Sequence, residues 1–218
     1  MLDPFGWTTY DVTWILPAGW QQDAVHAADE AEVRPFGRTP VISREAEDVQ
    51  QIMRGRVHSD QVASELPWLR ELYRTDFREL GERATGRKVY AAADERYGTV
   101  LNVQRGPQMR FECHVDSNPL TGLLFCTDHG PGGGGELIFG HDKSARSRAD
   151  VERSCSVLRP QAGHLIFFDG REHPHYVRAL KADDEVRVVA VMNYYTDECP
   201  ESTRPLELNR HLYGDQQK

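Results

Sequence analysis

The segment Gly163-His164-Leu165-Ile166-Phe167-Phe168-Asp169-Gly170-Arg171-Glu172-His173-Pro174-His175-Tyr176-Val177 decides how the chain is read. An apolar run, an Asp-Gly turn signal and a second start after Pro174 describe two short strands, not a helix. Working outward, the same pattern places strands at about 88–92, 98–105, 109–114, 120–127, 136–140, 155–159, 163–169, 174–180 and 186–195. Gly, Pro, Asp and Asn cluster between them, and no helical period intervenes. So many short strands without crossover helices predict a mainly β fold with flanking helices, an antiparallel jelly roll or barrel.

Before residue 88 the pattern differs. Residues 6–16 alternate enough for a strand, and Pro35 and Pro40 mark loops. Ser43 or Arg44 opens a short helix running to about Met53. A clearer helix follows the N-cap pair Ser59-Asp60. Its Leu66, Leu69, Tyr73, Phe77 and Leu80 repeat every three to four residues, an apolar stripe that packs on a sheet. Pro67 kinks or divides it, and Gly86 ends it. The expected organisation is one domain: an N-terminal mixed, helical support region over 1–87, a jelly-roll core over 88–197 and a tail over 198–218.

Composition excludes several classes. Of 218 residues, 39% are apolar and 28% charged, too apolar for a disordered chain. No apolar stretch approaches the ~18 residues of a membrane-spanning helix. The 26 basic and 34 acidic residues give a net charge of −8, which argues against general nucleic-acid binding. Cys113, Cys126, Cys155 and Cys199 form no close pair, and the opening residues carry no basic region followed by an apolar run. Reduced thiols and a cytoplasmic location are expected. The run Gly130-Pro131-Gly132-Gly133-Gly134-Gly135 leads into a strand and lacks the Lys and Ser/Thr of a phosphate loop.

The chemistry is carried by His114-Val115-Asp116, by His175 sixty-one residues later and by Arg187 twelve residues beyond. On a strand, residues i and i+2 face one side, so His114 and Asp116 project together, and a third ligand must come from another strand. Two imidazoles and a carboxylate on one face of an ion leave positions open, the arrangement suited to non-haem Fe(II). His173 shares strand parity with His175. The strand start after Pro174 favours His175, and leaves His173 a supporting or substrate contact.

These residues resemble those of the Fe(II)/2-oxoglutarate-dependent dioxygenases, especially the prolyl-hydroxylase-like branch. The resemblance rests on His114-Val115-Asp116, on Gly134-Gly135-Glu136-Leu137-Ile138-Phe139, and on Pro174-His175-Tyr176-Val177 followed by Arg187 in Arg187-Val-Val-Ala-Val-Met-Asn-Tyr-Tyr195. It spans about 98–195 and implies a double-stranded β-helix. It also implies that His114, Asp116 and His175 bind Fe(II), and that Arg187 pairs with the distal carboxylate of the cosubstrate 2-oxoglutarate. A planar guanidinium fork meets a carboxylate at two points. The implied reaction consumes O2 and 2-oxoglutarate, yields succinate and CO2, and hydroxylates an unactivated C–H. Asp116 fills the position where halogenating relatives need a small residue. Many relatives carry a hydroxyl residue two or four positions after the Arg; here those are Val189 and Val191.

Strand parity supplies further candidates. Asn102 and Gln104 share a face, as do Arg110 and Glu112 with His114 if that strand is regular. They bind 2-oxoglutarate (Asn102) or substrate (Gln104, Arg110, Glu112), or else Arg110 and Glu112 pair with each other or a bulge turns them outward. Asn118 is a candidate at the mouth. A small-molecule substrate is expected, amino-acid-like or a biosynthetic intermediate. A peptidyl or protein side-chain hydroxylase is the alternative. A cupin-like metal-binding or sensor protein is a third reading, in which Arg187 has no role. The oligomeric state is open.

Overall fold

The computed structural model describes residues 6–36, 52–205 and 208. In chain order the strands are β1 (Trp7–Asp11), β2 (Glu32–Phe36), β3 (Ile52–Val57), β4 (Val89–Ala91), β5 (Thr99–Arg105), β6 (Phe111–His114), β7 (Leu120–Phe125), β8 (Leu137–Gly140), β9 (Cys155–Leu158), β10 (His164–Phe168), β11 (His175–Val177) and β12 (Val186–Thr196). The helices are α1 (Trp20–Ala27), α2 (Ser59–Glu65), α3 (Pro67–Arg74), α4 (Asp76–Thr85) and α5 (Arg148–Arg153).

Two sheets face each other. The larger has eight strands in the order β1-β10-β7-β12-β5-β3-β2, with β4 paired to β12. The smaller runs β6-β11-β8-β9. The ladders between these strands are antiparallel, as a jelly roll requires. All nine strands expected after residue 87 are present, several of them shorter than read. Residues before 88 add β1, β2 and β3 to the large sheet. The short helix expected to reach Met53 falls mostly outside the described residues, and its last two positions open β3 instead.

The stripe of Leu66, Leu69, Tyr73 and Phe77 packs on the outer face of the large sheet, against Leu101, Leu120, Ala190 and Tyr194. Each fully buried side chain of this kind contributes roughly 1.5–3 kcal/mol. Pro67 divides the helix. Leu66 lies outside helical geometry (φ −124°, ψ 57°), as the residue before a proline tends to, and Pro67 opens α3, where its missing N–H costs nothing. Gly86 ends α4 with φ 66°, in the left-handed region that glycine enters without strain.

The inner faces enclose a second apolar cluster: Phe111, Leu123, Phe125, Leu137, Phe139, Ile166, Phe168, Val177 and Val189. Alternation decides this division. On β5, Leu101 and Val103 join the helix-side core, which turns Asn102 and Gln104 inward. On β12, Val188 and Ala190 go to the helix side, which turns Arg187 and Val189 inward. The candidate site is built on this inner surface.

Candidate metal centre

Ligand atoms of His114, Asp116 and His175 all lie within 4.8 Å of one another. β6 and β11 pair His114 directly with His175, setting their rings 4.5 Å apart. Each ring is anchored through Nδ1, which donates to a backbone carbonyl: Glu112 O at 2.7 Å for His114 and His173 O at 3.0 Å for His175. A carbonyl only accepts, so Nδ1 carries the proton and Nε2 is left to ligate. Both Nε2 atoms converge on Asp116 Oδ1, at 3.3 and 3.7 Å. Three lone-pair donors facing one another need a cation or a proton among them, so the set fits a divalent metal.

Asp116 is placed by a turn. β6 ends at His114, so the strand parity inferred from the sequence does not reach Asp116. Its N–H donates to Gly170 O at 2.7 Å. Its Oδ2 accepts from Thr121 Oγ1 at 2.6 Å, and Asn118 Nδ2 donates to Thr121 Oγ1 at 2.9 Å and to Leu120 O at 2.8 Å. Asn118, expected at the mouth, is buried and holds this turn. Gly170 lies so close that a Cβ there would sit 2.3 Å from Asp116 Oδ2.

Protonation suits ligation. Burial alone would raise Asp116, but the charges of His175 and His114 and hydrogen bonds from His114 and Thr121 outweigh it and hold the carboxyl well below the usual range. Burial pushes His175 down to about 4, against the pull of Asp116, so it is neutral near pH 7. Burial works against a charge on His114 too, but Asp116 raises it overall; metal binding would displace that proton. His173 stacks on Phe139 (4.6 Å), and its Nδ1 donates to Gly140 O at 2.9 Å. It supports β11 and stands outside the triad.

Arg187 is 1% exposed, and its Nε, Nη1 and Nη2 have no hydrogen-bond partner among the described residues. Its guanidinium lies 5.5 Å over the Phe125 ring. Burial pushes it down to about 9, with Cys126 pulling the other way, and it stays protonated at neutral pH. A buried cation with three unmet donors is costly unless an anion completes it. Phe125 shares the inner cluster with Phe168, whose ring lies 4.8 Å from His175. An apolar floor therefore joins the guanidinium to the triad. Gln104, opposite Arg187 in register, donates Nε2 to Met109 O (3.2 Å) and Arg178 O (3.3 Å), leaving Oε1 buried without a partner among the described residues. Asn102 Oδ1 is likewise buried and unpartnered among them. Arg110 Nε pairs with Glu112 Oε1, and the β6–β11 register is irregular just there, which breaks the regular alternation.

Thr121 and Gly170 escaped the sequence reading because their roles lie in the turn around Asp116. Arg54 and Arg56 on β3 also escaped it. Both are buried on the inner face, and Arg54 reaches across to lie 5.8 Å over the Phe111 ring.

No protein-family model matches the sequence, and no curated protein matches it. Solved structures do. One is an oxidoreductase of the 2OG-Fe(II) oxygenase family from Burkholderia pseudomallei (15% identity, 87% of this chain and 85% of that one, TM-score 0.58). Another is SnoN, a non-heme alpha ketoglutarate dependent epimerase from nogalamycin biosynthesis (15%, 88% and 78%, 0.62). A third is a prolyl hydroxylase from Trichoplax adhaerens in complex with a hypoxia inducible factor peptide fragment (12%, 90% and 86%, 0.53). At these identities the likeness establishes the fold. The chain has the jelly-roll fold of the 2-oxoglutarate/Fe(II) oxygenases, and its clustered His-Asp-His group occurs within that fold.

Proposed function

We propose that this chain is an Fe(II)- and 2-oxoglutarate-dependent oxygenase that hydroxylates an unactivated C–H of a small molecule. The observation that carries the reading is Arg187: a buried guanidinium with three donors unpartnered among the described residues, joined by an apolar floor to a ready metal triad. A metal-binding module without turnover has no use for it.

His114 Nε2, Asp116 Oδ1 and His175 Nε2 would hold Fe(II), and Arg187 would hold the distal carboxylate of 2-oxoglutarate. When bound, iron and 2-oxoglutarate use O2 to supply the oxidant, with release of succinate and CO2. The chain's own contributions are positional. Carbonyls of Glu112 and His173 fix the two imidazole tautomers. Thr121 restrains the second oxygen of Asp116 and leaves the first directed at the histidines. Phe125, Phe168 and Val189 exclude water from the space between the triad and Arg187, which strengthens the attraction there for an anion. A small-molecule substrate accords with SnoN, a biosynthetic enzyme.

The test is anaerobic addition of Fe(II) and 2-oxoglutarate. A visible metal-to-ligand charge-transfer band is expected, and it should disappear in His114→Ala. Absence of the band in the wild type would overturn the proposal. Screening amino acids, biosynthetic intermediates and peptides for stimulated succinate formation then separates small-molecule from peptide substrates; stimulation by peptides alone would refute the small-molecule part.

A further inference from the structure

Arg54 and Arg56 place charge where a strand usually places apolar side chains. Val57 belongs to the helix-side core, so alternation turns Arg54 and Arg56 to the inner face, where they are 6% and 9% exposed. Arg56 pairs in register with the inward Asn102. Since Gly55 pairs with Val103, Arg54 falls in line with Gln104, which in turn pairs with Arg187. Arg54, Gln104 and Arg187 thus form one row across three adjacent strands. Two strand spacings separate the arginine backbones, about 10 Å.

Each guanidinium of this row lies over a ring of the same inner apolar cluster: Arg54 over Phe111 and Arg187 over Phe125. Phe111 opens the strand that ends in the metal-side His114. The next strand extends the basic wall, because Arg34 pairs in register with Arg54, and its Nη2 is buried without a partner among the described residues. Two carboxylates belong to the same surroundings. Glu32, opposite Arg56, is exposed, bonds to His58 Nε2 at 2.7 Å and also feels the charges of Arg34 and Arg56, and Glu112 is held by Arg110. Gln104, tied to the carbonyls of Met109 and Arg178, stands between the two cationic positions and keeps them apart.

We propose that Arg54 and Arg56 form the anion-recognising wall of the substrate pocket, so that the substrate carries a carboxylate or phosphate in addition to its oxidised carbon. The inference rests on the oxygenase reading, which assigns Arg187 to the cosubstrate and sets this second basic position on the same inner face. Planar guanidinium forks meet either anion at two points, and the Phe111 ring under Arg54 limits the competing water there.

The test uses the anaerobic Fe(II) protein saturated with 2-oxoglutarate. Benzoate, phenyl phosphate and the neutral control benzamide are titrated by calorimetry while the charge-transfer band is followed. Benzoate or phenyl phosphate should bind with the band retained, and which of the two binds more tightly identifies the anion. Replacing the anion with benzamide, or introducing Arg54→Gln or Arg56→Gln, should each weaken binding about tenfold or more. Arg54→Lys should fall between, and thermal midpoints report folding. The affinity for 2-oxoglutarate should change less than about twofold in the Arg54 and Arg56 variants, because a separate site is altered. Equal binding of all three probes to the wild type would overturn the proposal, as would an Arg54→Gln variant that loses 2-oxoglutarate and keeps benzoate. Failure of the oxygenase reading looks different: the wild type would show no band, while calorimetry would still report the anion site.

Discussion

Gly170→Ala is a one-carbon perturbation aimed at the metal centre through Asp116. A Cβ at position 170 would sit 2.3 Å from Asp116 Oδ2, 2.9 Å from its Cγ and 3.0 Å from its Cβ. An ordinary contact begins near 3.4 Å, so the carboxylate must retreat by about 1 Å. Metal ligation tolerates displacements of only about 0.2 Å. The retreat also strains the 2.6 Å bond from Thr121 Oγ1, and a hydrogen bond to a charged group is worth about 1.5–3 kcal/mol. Loss of such support typically lowers metal affinity by about 10–100-fold. The expected result is a fall in Fe(II) affinity of that size, measured by anaerobic titration of the charge-transfer band at saturating 2-oxoglutarate. Global stability should fall by only ~1–3 kcal/mol, the usual cost of overpacking, measured by urea unfolding. A Gly170→Ala variant that binds Fe(II) as tightly as the wild type would refute both the position assigned to Asp116 and its role as a ligand.

Two further predictions concern buried charge. Arg187→Met removes a cation with three unmet donors, so the metal-free variant should be more stable than the wild type by about 1–4 kcal/mol in urea unfolding, while 2-oxoglutarate affinity collapses; destabilisation would mean that the guanidinium already has a partner. Asp169 is pushed up to about 6 by burial, which the N–H of Glu172 only partly offsets. A folded-state value above the unfolded one means that the native protein binds the proton more tightly. The stabilising contribution is therefore full below the ordinary aspartate range and is lost as pH rises through about 6. Asp169→Asn should remove that pH dependence and stabilise the protein at pH 7–8, and an unchanged stability–pH curve would refute it.

Much of the core was legible because strands with one face on an apolar interior print a period of two, and the glycines, prolines and aspartates between them mark the turns. Pro67 and Gly86 were equally readable, since each imposes its backbone geometry locally. β3 was not. Its Ile52-Met-Arg-Gly-Arg-Val57 reads as polar at the very positions that point inward, because the inner face here takes arginines. A rule that equates charge with solvent inverts such a strand. At the site, the candidates His114, Asp116, His175 and Arg187 followed from motif, spacing and resemblance, but the reason Asp116 meets the two histidines did not. Parity would have placed it on a strand that in fact stops two residues earlier.

The sequence alone determined the alternating strands, because these depend on local periodicity, and it singled out the four candidate site residues by type, spacing and resemblance. The tertiary structure alone decided three things. It brought His114 opposite His175 across sixty-one residues, seated Asp116 against Gly170 and Thr121, and aligned Arg54 with Gln104 and Arg187 across three strands. Such relations depend on which distant segments become neighbours in a sheet; burial of one face fixes the register only once those partners have been chosen.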